Sequence, residues 1–333
     1  MRHARLAGLM LGTALVVGGQ MAQAEDQITI AYFLEWAMPF EYAKATGEME
    51  KAMGVKINWR AFDTGTAMSA AMASGDVQMA ISQGVPPFIV ATSAGQDLQV
   101  LDVAVSYSGN DNCVVSDKLE IDKTNVKDLE GKKVAVPIGT AAQYDFLKQM
   151  AHFGVDSSTM QIVDMAPPDG AAALAQGNVD MACGFGGGLQ RMEQVGHVLL
   201  TGAEKDAIGL HVYDVISAPA RFADQHPDLI TRFLTVVHQM NDKWNSGVAA
   251  QAEMLPVIAK DAGMDPAAAK SMLAGFSFPA LADAVGPTWM GGGVQANLKD
   301  VADFFVKTGN IPKGRDSYDD AVNAGPLMAV KGM

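Results

Sequence analysis

The sequence contains few of the residues and motifs on which enzyme and metal chemistry depend. Only two cysteines, Cys113 and Cys183, occur in 333 residues, and the six histidines show no spacing typical of a zinc site. No Gly-x-Ser-x-Gly elbow is present, nor a phosphate loop ending in Gly-Lys-Ser or Gly-Lys-Thr. The glycine-rich segment 184–189 fails the dinucleotide fingerprint because Leu189 stands where the third glycine belongs. We therefore expect no catalysis, no metal and no cofactor.

Long apolar runs are also scarce. The run from Leu6 to Val17 is too short to span a membrane, follows Arg2 and Arg5, and precedes the small-x-small triplet Ala22-Gln23-Ala24. We predict a signal peptide over residues 1–24 that is cleaved after Ala24. Cleavage removes two arginines and no acid, so the formal charge moves from -13 to -15. Such an acidic exported chain argues against nucleic acid and anionic membranes as partners.

The two cysteines would then lie in a compartment where disulfides persist. Both fall in strand-like runs, so a bridge is possible if the two strands are neighbours. Two small apolar thiols packed in a core are the alternative, and the sequence leaves both open.

The chain contains one structural module twice. The stretch 173–182 is a near copy of 71–80, which lies 102 positions earlier. Each copy is typical of a helix end, a glycine in a left-handed turn and a short apolar strand. Upstream, the strand-like runs 28–32 and 133–137 both lead into helical patterns. The length and the 49% apolar content fit two such α/β units.

The order of the predicted elements defines the lobes. Each module reads as β-α-β-α-β, which favours a parallel sheet with ligands at its strand ends. We assign residues 25–106 and 214–333 to lobe 1 and residues 107–213 to lobe 2. The helical C-terminal part has no repeat, and we expect it to pack on lobe 1. The crossings between the lobes are predicted at 105–109 and 214–217, where the lobes would close by rigid-body motion.

Several motifs, in a fixed order after the export signal, carry a resemblance to a known family. They are Asp128–Pro137, Gly177–Asp180, Phe222–Asp228 and Thr308–Pro312. In this order they resemble the taurine, sulfonate and nitrate group of periplasmic binding proteins, over the whole mature chain. The segment Trp59–Gly65 is similar to the taurine-binding branch.

The resemblance implies an α/β, type II periplasmic binding protein. Each lobe would be a mainly parallel sheet flanked by helices, with the ligand in the cleft between the lobes. It further implies a monomeric periplasmic receptor that binds taurine or a related small aminosulfonate. The partners would be an ABC permease and its ATPase at the inner membrane.

The resemblance also suggests binding residues, with departures. Where the taurine branch has a Gly-Ser-Ser loop, this chain has Gln83-Gly84-Val85, which lacks the hydroxyls but keeps an amide and helix-start N–H groups suited to an anion. Thr140 and Tyr144 match a second family loop, and Phe185 stands in place of a larger aromatic residue. The aspartate of a Leu-Asp-Val pattern falls on Asp214.

Asp214 is the candidate partner of a ligand's ammonium group. It lies in the apolar run 212–218, where a carboxylate needs a positive charge or hydrogen bonds. The alternative is that it caps a turn at the lobe crossing.

Further candidates are aromatic or acidic residues near predicted strand ends. Trp36, Phe185 and Tyr213 either form a cation-π wall or belong to the core. Glu35 is either a ligand contact or a solvated side chain. Asp111 either lines the cleft or forms the turn between the lobes.

Two other functions stay open from the sequence. The absence of the two serines of the Gly-Ser-Ser loop makes a sulfonate less favoured. The residues around Glu35, Trp36 and Tyr213 also suit a quaternary amine or another small zwitterion. An exported enzyme of the thiamine-pyrimidine type would share the architecture, although such sites are rich in cysteine and histidine and Cys183 stands alone.

Overall fold

Two β-sheets flanked by helices form the protein in the computed structural model, which describes residues 27–330. The predicted signal peptide lies outside the described residues. The strands are β1 Gln27–Phe33, β2 Lys56–Phe62, β3 Met79–Gly84, β4 Leu98–Tyr107, β5 Asp111–Ser116, β6 Lys133–Val136, β7 Gln161–Asp164, β8 Met181–Phe185, β9 Gly196–Val198, β10 Val212–Pro219 and β11 Phe276–Ser277. The helices are α1 Phe40–Thr46, α2 Glu48–Met53, α3 Gly65–Ser74, α4 Val85–Ser93, α5 Ala141–Phe153, α6 Pro167–Gln176, α7 Gly186–Met192, α8 Gly202–Ala207, α9 Ala220–Gln225, α10 Pro227–Asn245, α11 Val248–Asp261, α12 Pro266–Ala274, α13 Leu281–Ala284, α14 Gly293–Lys307 and α15 Gly325–Met328.

The predicted α/β fold of two sheets flanked by helices is confirmed, but the sheets are mixed rather than mainly parallel. The first sheet has the order β11-β4-β10-β3-β1-β2 and the second the order β7-β6-β8-β5-β9. The repeated modules supply the parallel pairs, β1 with β2 and β3, and β6 with β7 and β8. The strands next to the crossings, β4, β10 and β5, pair antiparallel because the chain leaves one lobe and returns to it.

The repeated corner has the predicted conformation. Gly75 and Gly177 end α3 and α6 at φ 83° and 76°, in the left-handed region that a Cβ disfavours. The strands that follow run over Met79–Gly84 and Met181–Phe185. Both strand ends therefore reach the space between the two sheets.

The crossings lie in short segments between the sheets. Tyr107 pairs with Val212, and Ser106 with Tyr213, so the ends of β4 and β10 belong to the first sheet. The connections are thus 108–110 and the segment between α8 and β10. The predicted crossing at 214–217 is wrong, because these residues are paired on both sides within β10.

The C-terminal helices pack on the first sheet, as expected. Helix α10 presents Leu229, Ile230, Phe233, Leu234 and Val237 at helical spacing, and all five are buried. Each such side chain contributes roughly 1.5–3 kcal/mol to stability by leaving water. Helix α14 packs against α4, beside the cleft.

Cys113 and Cys183 form a disulfide. They lie directly opposite each other in the antiparallel pair of β5 and β8. Of the two alternatives that the sequence left open, the bridge is the one present, and the free-thiol alternative is wrong.

None of the helices within residues 27–330 has the length and apolar content needed to cross a membrane.

Candidate ligand-binding site

Residues of both lobes meet at a small cavity where the ends of β1, β3 and β8 face the starts of α4 and α5. Its lining residues are Phe33, Trp36, Gly65, Gly84, Pro87, Tyr107, Asp111, Thr140, Ala141, Phe185 and Asp214. The cavity measures about 10 Å³, which is enough for one water-sized particle. A ligand as large as taurine therefore requires the lobes or the lining side chains to move apart.

Asp214 is held by hydroxyl groups rather than by a cation. Its Oδ2 accepts a hydrogen bond of 2.6 Å from Ser82 Oγ, and its Oδ1 accepts one of 2.8 Å from Tyr107 Oη. Trp36 Nε1 donates to Ser82 Oγ at 2.7 Å, so the indole supports this arrangement. No lysine or arginine of residues 27–330 forms an ion pair with Asp214.

Burial raises the pKa of Asp214 to about 7, although the hydrogen bonds from Ser82 and Tyr107 act in the opposite direction. The turn-cap alternative is wrong, because Asp214 is paired with Gly84 and Val105 within the sheet. A buried carboxyl with a pKa of about 7 that faces a cavity is suited to receive a cationic group, which would stabilise its ionised form.

Ser82 has a strained backbone. Its φ of 66° lies in the left-handed region, which costs a non-glycine residue on the order of 1–3 kcal/mol. In this conformation its hydroxyl joins Trp36 to Asp214. Ser82 and Tyr107 are not among the residues predicted from sequence. Ser82 lies inside β3 with no local signal for a binding role, and Tyr107 lies in the segment 105–109, which was predicted as a lobe crossing.

Part of the predicted aromatic wall is present. The Trp36 ring lies 5.1 Å from Tyr107, 5.9 Å from Phe185 and 4.7 Å from Phe276, between ring centroids. Tyr213 does not line the cleft. Its ring packs on Trp289 at 5.2 Å, within the core of the first lobe.

Glu35 is engaged in an ion pair instead of facing the cavity. Arg191 donates two hydrogen bonds, of 2.6 and 2.8 Å, to its carboxylate. Gly187 N–H also donates to the backbone oxygen of Glu35 at 3.0 Å. Because Glu35 belongs to the first lobe and Arg191 and Gly187 to the second, these contacts join the lobes.

The loop Gln83-Gly84-Val85 contributes less than predicted. The Gln83 amide points into the first lobe, where it donates to Ser69 Oγ at 2.6 Å and accepts from Ser217 Oγ at 2.6 Å. Val85 is buried at the start of α4 and does not line the cavity. Gly84 does line it, and a Cβ there would lie 3.5 Å from Asp214 Oδ1.

The start of α4 offers few donors to an anion. Two of its first three residues are Pro86 and Pro87, which have no N–H group. At the start of α5, Thr140 Oγ1 donates to the backbone oxygen of Pro137 at 2.6 Å, so its hydroxyl proton is already used. The backbone N–H groups of the first turn of α5 are the better anion site.

Tyr144 lies one turn into α5, outside the cavity lining. Its ring packs on Phe304 at 5.2 Å, so it bridges α5 to α14 of the first lobe. Burial raises the pKa of its hydroxyl to about 12.

Asp111 lies at the start of β5, opposite Phe185 in β8, and faces the cavity from the second lobe. It is fully buried. No residue of the described chain donates a hydrogen bond to either oxygen of its carboxylate. The turn alternative for Asp111 is wrong.

The described residues contain no group of three or more histidine, cysteine, aspartate or glutamate side chains arranged to hold a metal ion.

Three of the known proteins that are similar to this chain match it over most of its length. The taurine-binding periplasmic protein of Escherichia coli (strain K12) is 28% identical over 312 residues, which are 91% of this chain and 93% of that protein. The alkanesulfonate-binding protein SsuA from Xanthomonas axonopodis pv. citri, bound to MOPS, has a TM-score of 0.72 at 20% identity, over 86% of this chain and 95% of that one. The desulfurization enzyme DszB has a TM-score of 0.62 at 13% identity, over 91% of this chain and 98% of that one. At these identities the two structures show the shared fold alone.

Two lobes with a cleft between their strand ends define the fold class of the periplasmic binding proteins. A family model described as NMT1/THI5 like matches residues 50–242, more than half of the chain. The chain therefore belongs to the NMT1/THI5-like family.

Proposed function

We propose that the protein is a periplasmic receptor of an ABC importer. It binds taurine or a related small aminosulfonate and delivers it to an inner-membrane permease with its ATPase. The predicted signal peptide would export the chain, and we expect it to act as a monomer. The similarity to a taurine-binding periplasmic protein along 91% of the chain supports this role.

The observation that carries the proposal is the buried, cation-free carboxylate of Asp214 at the cavity. Ser82 and Tyr107 fix both of its oxygens, so the carboxylate is positioned before a ligand arrives. An ammonium group bound there would add the missing positive charge in a site that excludes water. The sulfonate of the same ligand would lie toward the N–H groups at the start of α5.

One observation favours the second candidate, a quaternary amine or another small zwitterion. The prolines at the start of α4 remove two donors that a sulfonate would use. The rings of Trp36, Tyr107 and Phe185, by contrast, suit a cation, because each ring face is electron-rich.

The enzyme alternative has less support. The desulfurization enzyme shows that this fold also hosts catalysis. In this chain, however, both cysteines are joined in the disulfide, so neither supplies a free thiol nucleophile.

A ligand panel tests the proposal. The purified mature chain would be titrated by calorimetry with taurine, ethanesulfonate, glycine betaine, choline and a thiamine pyrimidine, and its melting temperature followed with each. Saturable binding of taurine without turnover supports the first candidate, and preference for choline or betaine supports the second. Turnover of any ligand, or no binding across the panel, would overturn the receptor proposal.

A further inference from the structure

A second carboxylate faces the cavity from the other lobe. Asp111 and Asp214 both line it, Asp111 from β5 of the second sheet and Asp214 from β10 of the first. Unlike Asp214, whose two oxygens accept hydrogen bonds from Ser82 and Tyr107, Asp111 receives none from the described residues. Burying a carboxylate without hydrogen-bond donors costs the folded state free energy, so the position of Asp111 at the cavity needs a reason.

Lys205, the buried lysine near Asp111, does not neutralise the Asp111 carboxylate. Lys205 is fully buried behind β5, but its Nζ donates to Asp145 Oδ2 at 2.9 Å and to the backbone oxygen of Asp111 at 2.6 Å, not to the Asp111 carboxylate. The charge of Lys205 is thus largely matched by Asp145. Around the cavity this leaves two carboxylates, one from each lobe, without a cation of their own.

The pKa shifts of Asp111 and Asp214 agree with the absence, within residues 27–330, of a cation paired with either carboxyl. Burial, followed by the negative charge of Asp145, raises the pKa of Asp111 well above its usual range, and Asp214 adds to the rise while Lys205 opposes it. Both carboxyls therefore hold protons more readily than an ordinary aspartate. Because both carboxyls line the same small cavity, either protons or a cation must compensate their charges.

We propose that Asp111 is a second contact for the ligand's cationic group, which lies between Asp214 of one lobe and Asp111 of the other. The site therefore selects small solutes that carry an ammonium over solutes that carry only a negative charge. The same cation joins the lobes. This inference rests on the proposed receptor function, because it concerns the ligand of the same cleft.

The test compares Asp111→Asn with the wild type by titration calorimetry, using taurine, choline and ethanesulfonate as probes. Asp169→Asn is the matched control, because Asp169 is an exposed aspartate of the same lobe. We expect Asp111→Asn to bind taurine or choline at least about thirtyfold more weakly, as expected when one partner of a buried charge pair is lost. Binding of ethanesulfonate should stay within a few-fold of wild type or become tighter.

A second measurement needs only the wild type. Titrations at pH 6 in buffers with different heats of ionisation should show that binding of an ammonium ligand releases protons. No proton release, or equal affinity of Asp111→Asn and wild type for the ammonium ligands, would overturn the inference. If the wild type binds neither these three probes nor any other ligand of the panel, the receptor proposal itself fails.

Discussion

Arg191 on α7 and Glu35 after β1 form a two-pronged ion pair that joins the second lobe to the first. Glu35 has φ 54°, and a Cβ at Gly186 would lie 2.6 Å from its backbone oxygen, so glycine at 186 gives this loop room to approach. The pair therefore stabilises the arrangement in which the lobes touch.

Breaking this pair should weaken ligand binding without unfolding the protein. The side chains of Glu35 and Arg191 are 32% and 42% exposed, respectively. Such partly exposed ion pairs contribute up to about 1 kcal/mol to stability. We expect Glu35→Gln to lower ligand affinity about two- to fivefold, because the closed form loses a contact that the open form never had. Calorimetry measures the affinity, and scattering measures how far the ligand-free lobes separate.

The control is Asp303→Asn, which removes an exposed ion pair with Lys299 on the surface of α14, because neither residue lines the cavity. Equal affinities for Glu35→Gln and wild type would show that the pair does not act on closure.

The disulfide should stabilise both the second lobe and the cleft. Cys113–Cys183 closes a separation of 70 residues, and such bridges typically add about 2–4 kcal/mol. In the β5–β8 pair, the bridge lies two residues from the opposed residues Asp111 and Phe185, which both line the cleft. Replacing both cysteines by alanine should lower the melting temperature by roughly 5–10 °C and weaken ligand binding.

Scanning calorimetry with and without a reductant checks this prediction, and the alanine variant is its own control because a reductant cannot change it. Two alkylatable thiols in the native, unreduced protein would contradict the bridge.

Stability of the ligand-free protein should fall as pH rises from about 4 to 7. The pKa of Asp214 is about 7 in the folded chain, above its value of 3.8 when exposed, so the folded state holds the proton longer. Ionisation of this buried carboxyl then costs the folded state on the order of 4 kcal/mol by pH 7. Asp111, buried beside the same cavity, should add a slope of the same sign.

Melting temperatures measured between pH 5 and 8 test the slope. Asp214→Asn should flatten it, since the amide does not titrate. A slope that is unchanged in this variant would assign the pH dependence to other groups.

The repeated module was predictable from sequence because its signals are local. A glycine that needs positive φ, followed by an apolar strand, marks the same corner at Gly75 and Gly177. Asp214 became a candidate because the resemblance places a family aspartate there and because a carboxylate is conspicuous in an apolar run. Tyr213 could have been excluded by the same strand, because neighbouring side chains point to opposite faces.

Other features depend on contacts far apart in the chain. The pair of Arg191 with Glu35 spans 156 positions, and Tyr107 meets Asp214 across 107. The mixed sheet order arises where the chain crosses between lobes, and no local pattern marks the direction of those strands. The left-handed Ser82 is stabilised by Trp36 and Asp214, and the residue type itself gives no sign of it.

The measurement that tests the account most directly compares Asp214→Asn with wild type on taurine and on ethanesulfonate, which lacks the amine. Asp224→Asn, an exposed aspartate on α9, is the matched control. If Asp214 holds the ligand's ammonium group, the variant stays folded and loses about thirtyfold to several-thousandfold in affinity for taurine, while ethanesulfonate binding changes far less. Equal weakening of both ligands, or no weakening of either, would contradict the central claim.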